Sequence, residues 1–240
     1  MNTTILAIVL VFMLSIAAIA EAQTVKTQAL NPKQQSIATI SAFTANGYLE
    51  KLKTALDEGL EAGLTVNKIK EVLVQLYAYT GFPRSLNAIN SFMAVMDERQ
   101  KKGFKDEMGK EASPLPPHMN KDEFGARVRA KLSGRDIIPP PSGYQLFVPV
   151  IDTFLKEHLF ADIFARDNLD WQNRELVTIS ALASMTGTAN QLRFHFGASM
   201  NTGLTEPQMK EFISLLEAKV GKKEAESASQ VLTDVLQSKK

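Results

Sequence analysis

The 240-residue sequence contains no cysteine and only three histidines. Without cysteine there can be no disulfide scaffold, no thiolate metal site, no Cys-x-x-Cys redox pair and no cysteine nucleophile. A three-histidine zinc site would need His118, His158 and His195 together, which is every histidine in the chain. The chain has no His-Glu-x-x-His, no EF-hand loop and no closely spaced histidine pair, so no metal is expected. No glycine-rich phosphate loop follows a strand, and no cofactor is expected. An excess of one charge is missing as well. The 27 Lys+Arg stand against 26 Asp+Glu, a formal net charge of +1. That balance argues against a nucleic-acid partner and against attraction to an anionic membrane. Sustained period-two alternation, the mark of half-buried strands, is also absent.

One uncharged run is present, near the N-terminus. Ile5 to Ala20 is short of the ~20 residues that cross a bilayer as a helix. Ala20-Glu21-Ala22 then gives a small-x-small pattern before Gln23. This predicts a secretory signal peptide over residues 1–22 and a mature chain starting at Gln23. The protein would be periplasmic or secreted, with no membrane contact after cleavage. Met1-Asn2-Thr3-Thr4 carries no basic side chain, so an uncleaved N-terminal anchor is the alternative. An exported chain without disulfides must draw its stability from core packing.

The remainder reads as helices. Leu49, Leu52, Leu56 and Leu60 recur at helical spacing, as do Ile69, Val72, Leu73 and Leu76. Gly63 and Gly203 each follow a helical segment, where the chain turns left-handed. Thr65 and Thr205 stand two residues later as N-caps, Thr205 forming a capping box with Gln208. Pro207 falls in the first turn, where a missing N–H costs little. A shift of 140 residues superimposes Lys51–Ala88 on Gln191–Ala228, with Gly63-Leu64-Thr65 on Gly203-Leu204-Thr205. Upstream, a shift of 139 places Thr39-Ile40-Ser41-Ala42 on Thr178-Ile179-Ser180-Ala181. The chain is therefore all-α, with a duplicated helical unit. The first copy is assigned to residues 23–102 and the second to 144–240. Residues 103–143 form a connector, and seven of the ten prolines fall between Pro114 and Pro149. Glu123 to Leu132 is predicted as one short amphipathic helix inside it. The connector is either a flexible spacer or a segment that wraps on the copies.

Two groups of residues resemble a known family. The first is Arg174-Glu175-Leu176-Val177-Thr178-Ile179-Ser180-Ala181-Leu182, with Leu192-Arg193-Phe194-His195 and Asn201-Thr202-Gly203-Leu204-Thr205. The second runs from Leu73 to Asn87 and includes Tyr77-Ala78-Tyr79-Thr80-Gly81-Phe82-Pro83-Arg84. Together they resemble the carboxymuconolactone decarboxylase family. The resemblance implies alkylhydroperoxidase D-like helical units, a homo-oligomer and a small-molecule substrate. Its decarboxylase members imply lyase chemistry on a small carboxylated lactone or related acid. The family's disulfide-reductase branch uses Cys-x-x-Cys between the glutamate and the histidine. Here that interval, Gly187-Thr188-Ala189-Asn190, holds no cysteine, so hydroperoxidase activity is rejected. A non-catalytic binding or interaction protein on the same scaffold is the other alternative.

Glu175 and His195 are the candidate catalytic pair. Glu175 is expected to open a helix uncharged from Leu176 to Gln191, where desolvation can raise a carboxyl pKa. The imidazole of His195 suits proton transfer near neutrality. The first copy lacks both, since Glu175 aligns with Ser36 and His195 with Ala55. Conversely Tyr77, Tyr79, Phe82, Pro83 and Arg84 align with Glu217, Lys219, Lys222, Lys223 and Glu224. A composite pocket follows, with acid–base groups from copy two and an aromatic wall from copy one. Tyr77, Tyr79, Arg84 and Arg193 are its candidate substrate-binding residues, with Arg84 suited to a substrate carboxylate. Arg193 and His195, two apart, point to different helix faces, and Tyr77 and Tyr79 cannot both face inward. Against these stand the plainer readings of a helix histidine, a dipole-stabilised carboxylate and surface arginines. Trp171, after the N-cap Asp170, is read as a core anchor, and His118 and His158 as surface residues. Phe147, Phe154, Phe160 and Phe164 are read as core.

Overall fold

The computed structural model describes residues 29–238. The expected signal peptide lies outside them. Among the described residues all regular structure is helical. Copy one consists of α1 (Pro32–Asn46), α2 (Leu49–Glu61) and α3 (Val66–Lys101). The connector contributes α4 (Lys121–Leu132). Copy two begins with two short helices, α5 (Tyr144–Phe147) and α6 (Pro149–Thr153), and α6 runs on as a π-helix, Phe154–Ile163. It then continues through α7 (Trp171–Ala183), α8 (Ala189–Asn201), α9 (Glu206–Lys219) and α10 (Lys222–Ser238).

The duplication extends to helix boundaries. Shifted by 140 residues, α2 becomes α8 at both ends, and the start of α3 becomes the start of α9. Shifted by 139, the first residue of α1 becomes that of α7. The same local signals act in both copies. Gly63 (φ 85°) and Gly203 (φ 103°) take the left-handed conformation that a side chain would resist. Thr65 and Thr205 then cap α3 and α9 by accepting from the N–H groups of Lys68 and Gln208. Asp170 caps α7, and Asn31 closes a capping box with Gln34 before Pro32 opens α1. The 36-residue α3 is in fact two helices. Gly81 breaks it with φ 75° and ψ 162°, two residues before Pro83. Its equivalent, Gly221, separates α9 from α10.

α1 and α7 are the central pair. α1 is buried from Ile37 to Ala45 and α7 from Arg174 to Ala183. A helix apolar on all sides must be covered on all sides, and these two pack on each other at the centre of one continuous core. Ion pairs and hydrogen bonds cross between the copies in a pseudo-twofold manner. Glu71 of copy one receives Arg174 of copy two at 2.8 Å, and Glu211 of copy two receives Gln35 of copy one at 3.2 Å. The aligned partners of Glu71 and Arg174 are Glu211 and Gln35.

The connector wraps. Glu107 and Met108 carbonyls accept from the Val66 and Asn67 N–H groups, satisfying open donors at the start of α3. Asp106 holds Arg99 with two oxygens, and Asp167 holds Lys110 and Ser113. α4, capped by Asn120, lies along the π-helix and forms a second small core of Val128, Leu132, Leu159, Phe160, Ile163, Phe164 and Ala198. Two core assignments fail here. Phe147 is 88% and Phe154 61% exposed, because α5 is a single turn and the π-helix does not keep the 3.6-residue period. Phe160 and Phe164 are buried as expected.

Candidate functional site

α7 carries Glu175 in its second turn, not at its opening, because the helix starts at Trp171. The carboxylate is fully buried. α8 leaves the Thr188 turn and brings His195 back across it, so that His195 Nδ1 lies 2.8 Å from Glu175 Oε2. The other oxygen, Oε1, has no hydrogen-bond partner among the described residues. With Nδ1 engaged, His195 Nε2 is left without a hydrogen-bond partner among the described residues. The ring is braced from two sides. Phe194 stands edge-on at 5.0 Å between centroids, and Tyr79 edge-on at 5.8 Å.

His195 lines a cavity of about 560 Å³. Its walls come from three parts of the chain. Copy one gives Ala78 and Tyr79 from α3. Copy two gives Ile151, Leu155, Leu159 and Phe160 from α6 and the π-helix, with Asn190, Gln191 and Phe194 from α8. The connector gives Arg129 from α4. Tyr79 presents its ring, while its hydroxyl is buried and lacks a well-formed hydrogen bond. Burial, then the charge of Glu175, push that phenol far above its ordinary pKa, so it stays protonated.

The structure thus brings together Glu175, His195 and Tyr79, and it separates the other expected residues from them. Tyr77 turns the other way, as the spacing required. Its ring stacks on Phe82 at 4.5 Å, and its hydroxyl bonds His158, whose Nδ1 is 3.0 Å from Asp162. Arg84 lies beyond the Gly81 kink, is exposed, and donates to the Ala45 carbonyl. The kink redirects the helix axis and carries Arg84 away from the cavity. Arg193 is exposed and pairs with Asp234 at 2.7 Å, which holds that carboxyl below its usual range. His118 is exposed, and Trp171 is half-buried with its indole N–H on the Phe164 carbonyl.

Sequence reasoning missed Arg129, Gln191 and the π-helix residues. Gln191 is one turn before His195, an i, i+4 spacing that puts both on one helix face. Nothing local marks Arg129, which reaches the site only because α4 docks on the π-helix. The equivalent place in the other copy carries different residues. Ser36 and Ala55 replace the dyad, and Lys219, in the position of Tyr79, pairs with Glu58 at 3.3 Å. Among the described residues no three His, Asp or Glu side chains converge as a metal set. No helix among them is long and apolar enough to cross a membrane.

A sequence model of the carboxymuconolactone decarboxylase family matches this chain twice, over residues 12–92 and 149–234. The chain is also 33% identical over 60 residues to the 4-carboxymuconolactone decarboxylase of Acinetobacter baylyi. That match covers 25% of this chain and 44% of that protein, less than half its length.

Proposed function

The chain belongs to the carboxymuconolactone decarboxylase family, and on that premise we propose that it carries out cofactor-free acid–base chemistry of the lyase type. The substrate is a small carboxylated lactone or related acid bound in the cavity above His195. The observation that carries this reading is the buried Glu175–His195 hydrogen bond at the wall of an otherwise largely apolar cavity. Glu175 accepts from Nδ1–H, which fixes the tautomer and leaves Nε2 to exchange a proton with the substrate. Loss of carbon dioxide leaves an electron pair on the substrate, and the imidazolium quenches it by giving up the Nε2 proton. The apolar walls support this by keeping bulk water from the developing charge. Homo-oligomerisation and export are part of the same proposal.

Carbon dioxide release from 4-carboxymuconolactone tests the reading. Turnover by the wild type, lost in His195→Ala with an unchanged circular-dichroism spectrum, is the expected result. Thermal stabilisation by the lactone without any release of carbon dioxide would instead make this a binding protein. N-terminal sequencing of the mature protein tests export, with Gln23 expected as the first residue.

A further inference from the structure

Arg129 belongs to neither copy. It sits on α4, inside the connector, and its side chain is only 15% exposed. One nitrogen, Nη1, donates to Asp152 at 2.5 Å. Nε and Nη2 make no hydrogen bond among the described residues and are open to solvent, so most of the five donors of the guanidinium are unused by the protein. Asp152 does not need Arg129 alone, since it also accepts from Gln145 at 2.9 Å and lies 3.4 Å from Lys156. Arg129 lines the cavity with His195, and it is the one lining residue with a permanent charge. No carboxylate lines that cavity, whereas on its other side Arg129 borders a second cavity with Asp122, Glu123, Asp152 and Lys156. A planar cation with free donors in an apolar cavity binds an anion, and a carboxylate matches its fork.

We propose that Arg129 is the anion anchor of the cavity, so that the connector, and not either copy, selects a carboxylate-bearing ligand. The inference rests on the proposed function in taking this cavity as the substrate site. Asp152 acts as a positioning residue that holds one edge of the guanidinium and leaves the other edge to the ligand.

Calorimetric titration with benzoate and with benzamide, which share a shape and differ in charge, tests it without turnover. Benzoate is expected to bind about 10- to 100-fold more tightly than benzamide, the range set by one charge-assisted hydrogen bond. Arg129→Gln should erase that preference, Arg129→Lys should keep part of it, and Asp152→Asn, whose amide oxygen can still accept from Nη1, should keep it. Carbon dioxide release reads the acid–base step and the probe preference reads the anchor, so a failed acid–base reading and a failed anchor are distinguishable. Equal binding of the two probes by the wild type, including no binding of either, overturns the proposal. So does a preference that survives Arg129→Gln, or one lost equally in Arg129→Gln and Asp152→Asn, which would mark a structural ion pair.

Discussion

His195 has little freedom. Glu175 fixes one nitrogen, and the rings of Phe194 and Tyr79 fix the plane. A group held this way meets a reacting atom with its orientation already set. Glu175→Gln keeps the shape of the side chain and removes its charge. It is expected to lower kcat by about 10²- to 10⁴-fold, the range of general acid–base catalysis, with KM nearly unchanged. Steady-state kinetics check this, and an unchanged kcat would remove Glu175 from the proposed mechanism. Its neighbour Arg174 has a different role. That guanidinium is fully buried, burial lowers its pKa, and Glu71 offsets the cost by pairing with it. Glu71→Ala leaves the cation uncompensated and should destabilise the fold by about 3–5 kcal/mol. Urea unfolding measures that loss, and a change below about 1 kcal/mol would mean Gln75 and the Arg166 carbonyl suffice for Arg174. The family resemblance singles out Glu175 and His195 in the sequence, the repeat supplies a copy without them as a control, and the structure places the two in contact. Arg84 was misread for a physical reason. Its distance from Tyr79 along the chain is short, but Gly81 adopts φ 75° and bends the path between them.

The connector helix α4 and the π-helix work as one element. Gly125 is where they touch most closely. A methyl group there would lie 1.9 Å from the Lys156 carbonyl oxygen, an impossible contact with backbone. Gly125→Ala must therefore push α4 off the π-helix, at about 1–3 kcal/mol, the usual scale of overpacking. Because α4 carries Arg129 and the π-helix carries Leu155, Leu159 and Phe160, the cavity should widen as well. The expected outcome is a lower melting temperature together with weaker benzoate binding. Weakened binding with no change in stability, or the reverse, would separate the two elements. The sequence indicated α4 well, since Lys121–Leu132 contains the predicted Glu123–Leu132. It did not indicate what α4 packs against. Prolines say only where helices cannot run, and contacts such as Asn67 with Gly109 or Lys110 with Asp167 join the connector to distant parts of the chain. The π-helix was equally hidden, because its i→i+5 bonding has no simple apolar period, and Phe154 was taken for core on a spacing it does not obey.

At the scale of the whole molecule the two copies share one core and differ in the residues at the place of the Glu175–His195 pair. The pseudo-twofold arrangement puts Ser36, Ala55 and Lys219 at one place, where Lys219 pairs with Glu58, and Glu175, His195 and Tyr79 beside a cavity at the other. Near that cavity the surface is unusually apolar. Leu146, Phe147, Val150 and Phe154 are between 53% and 88% exposed, and they flank Tyr144 and Ile151, which line the cavity itself. Single exposed apolar residues are normal, but a row of them marks a contact surface. The self-association proposed above would cover this row and narrow the entrance to His195. Light scattering should then give a mass that is a multiple of the single chain. Phe147→Asp combined with Phe154→Asp should reduce it to the single-chain mass, because neither carboxylate can be buried unpaired in an apolar contact. The same variant should keep its helical spectrum, since neither phenylalanine is in the core, and should raise KM by opening the entrance. A wild-type protein that scatters as one chain at every concentration would leave the row without this partner. An unchanged mass in the double variant would put the contact elsewhere on the surface.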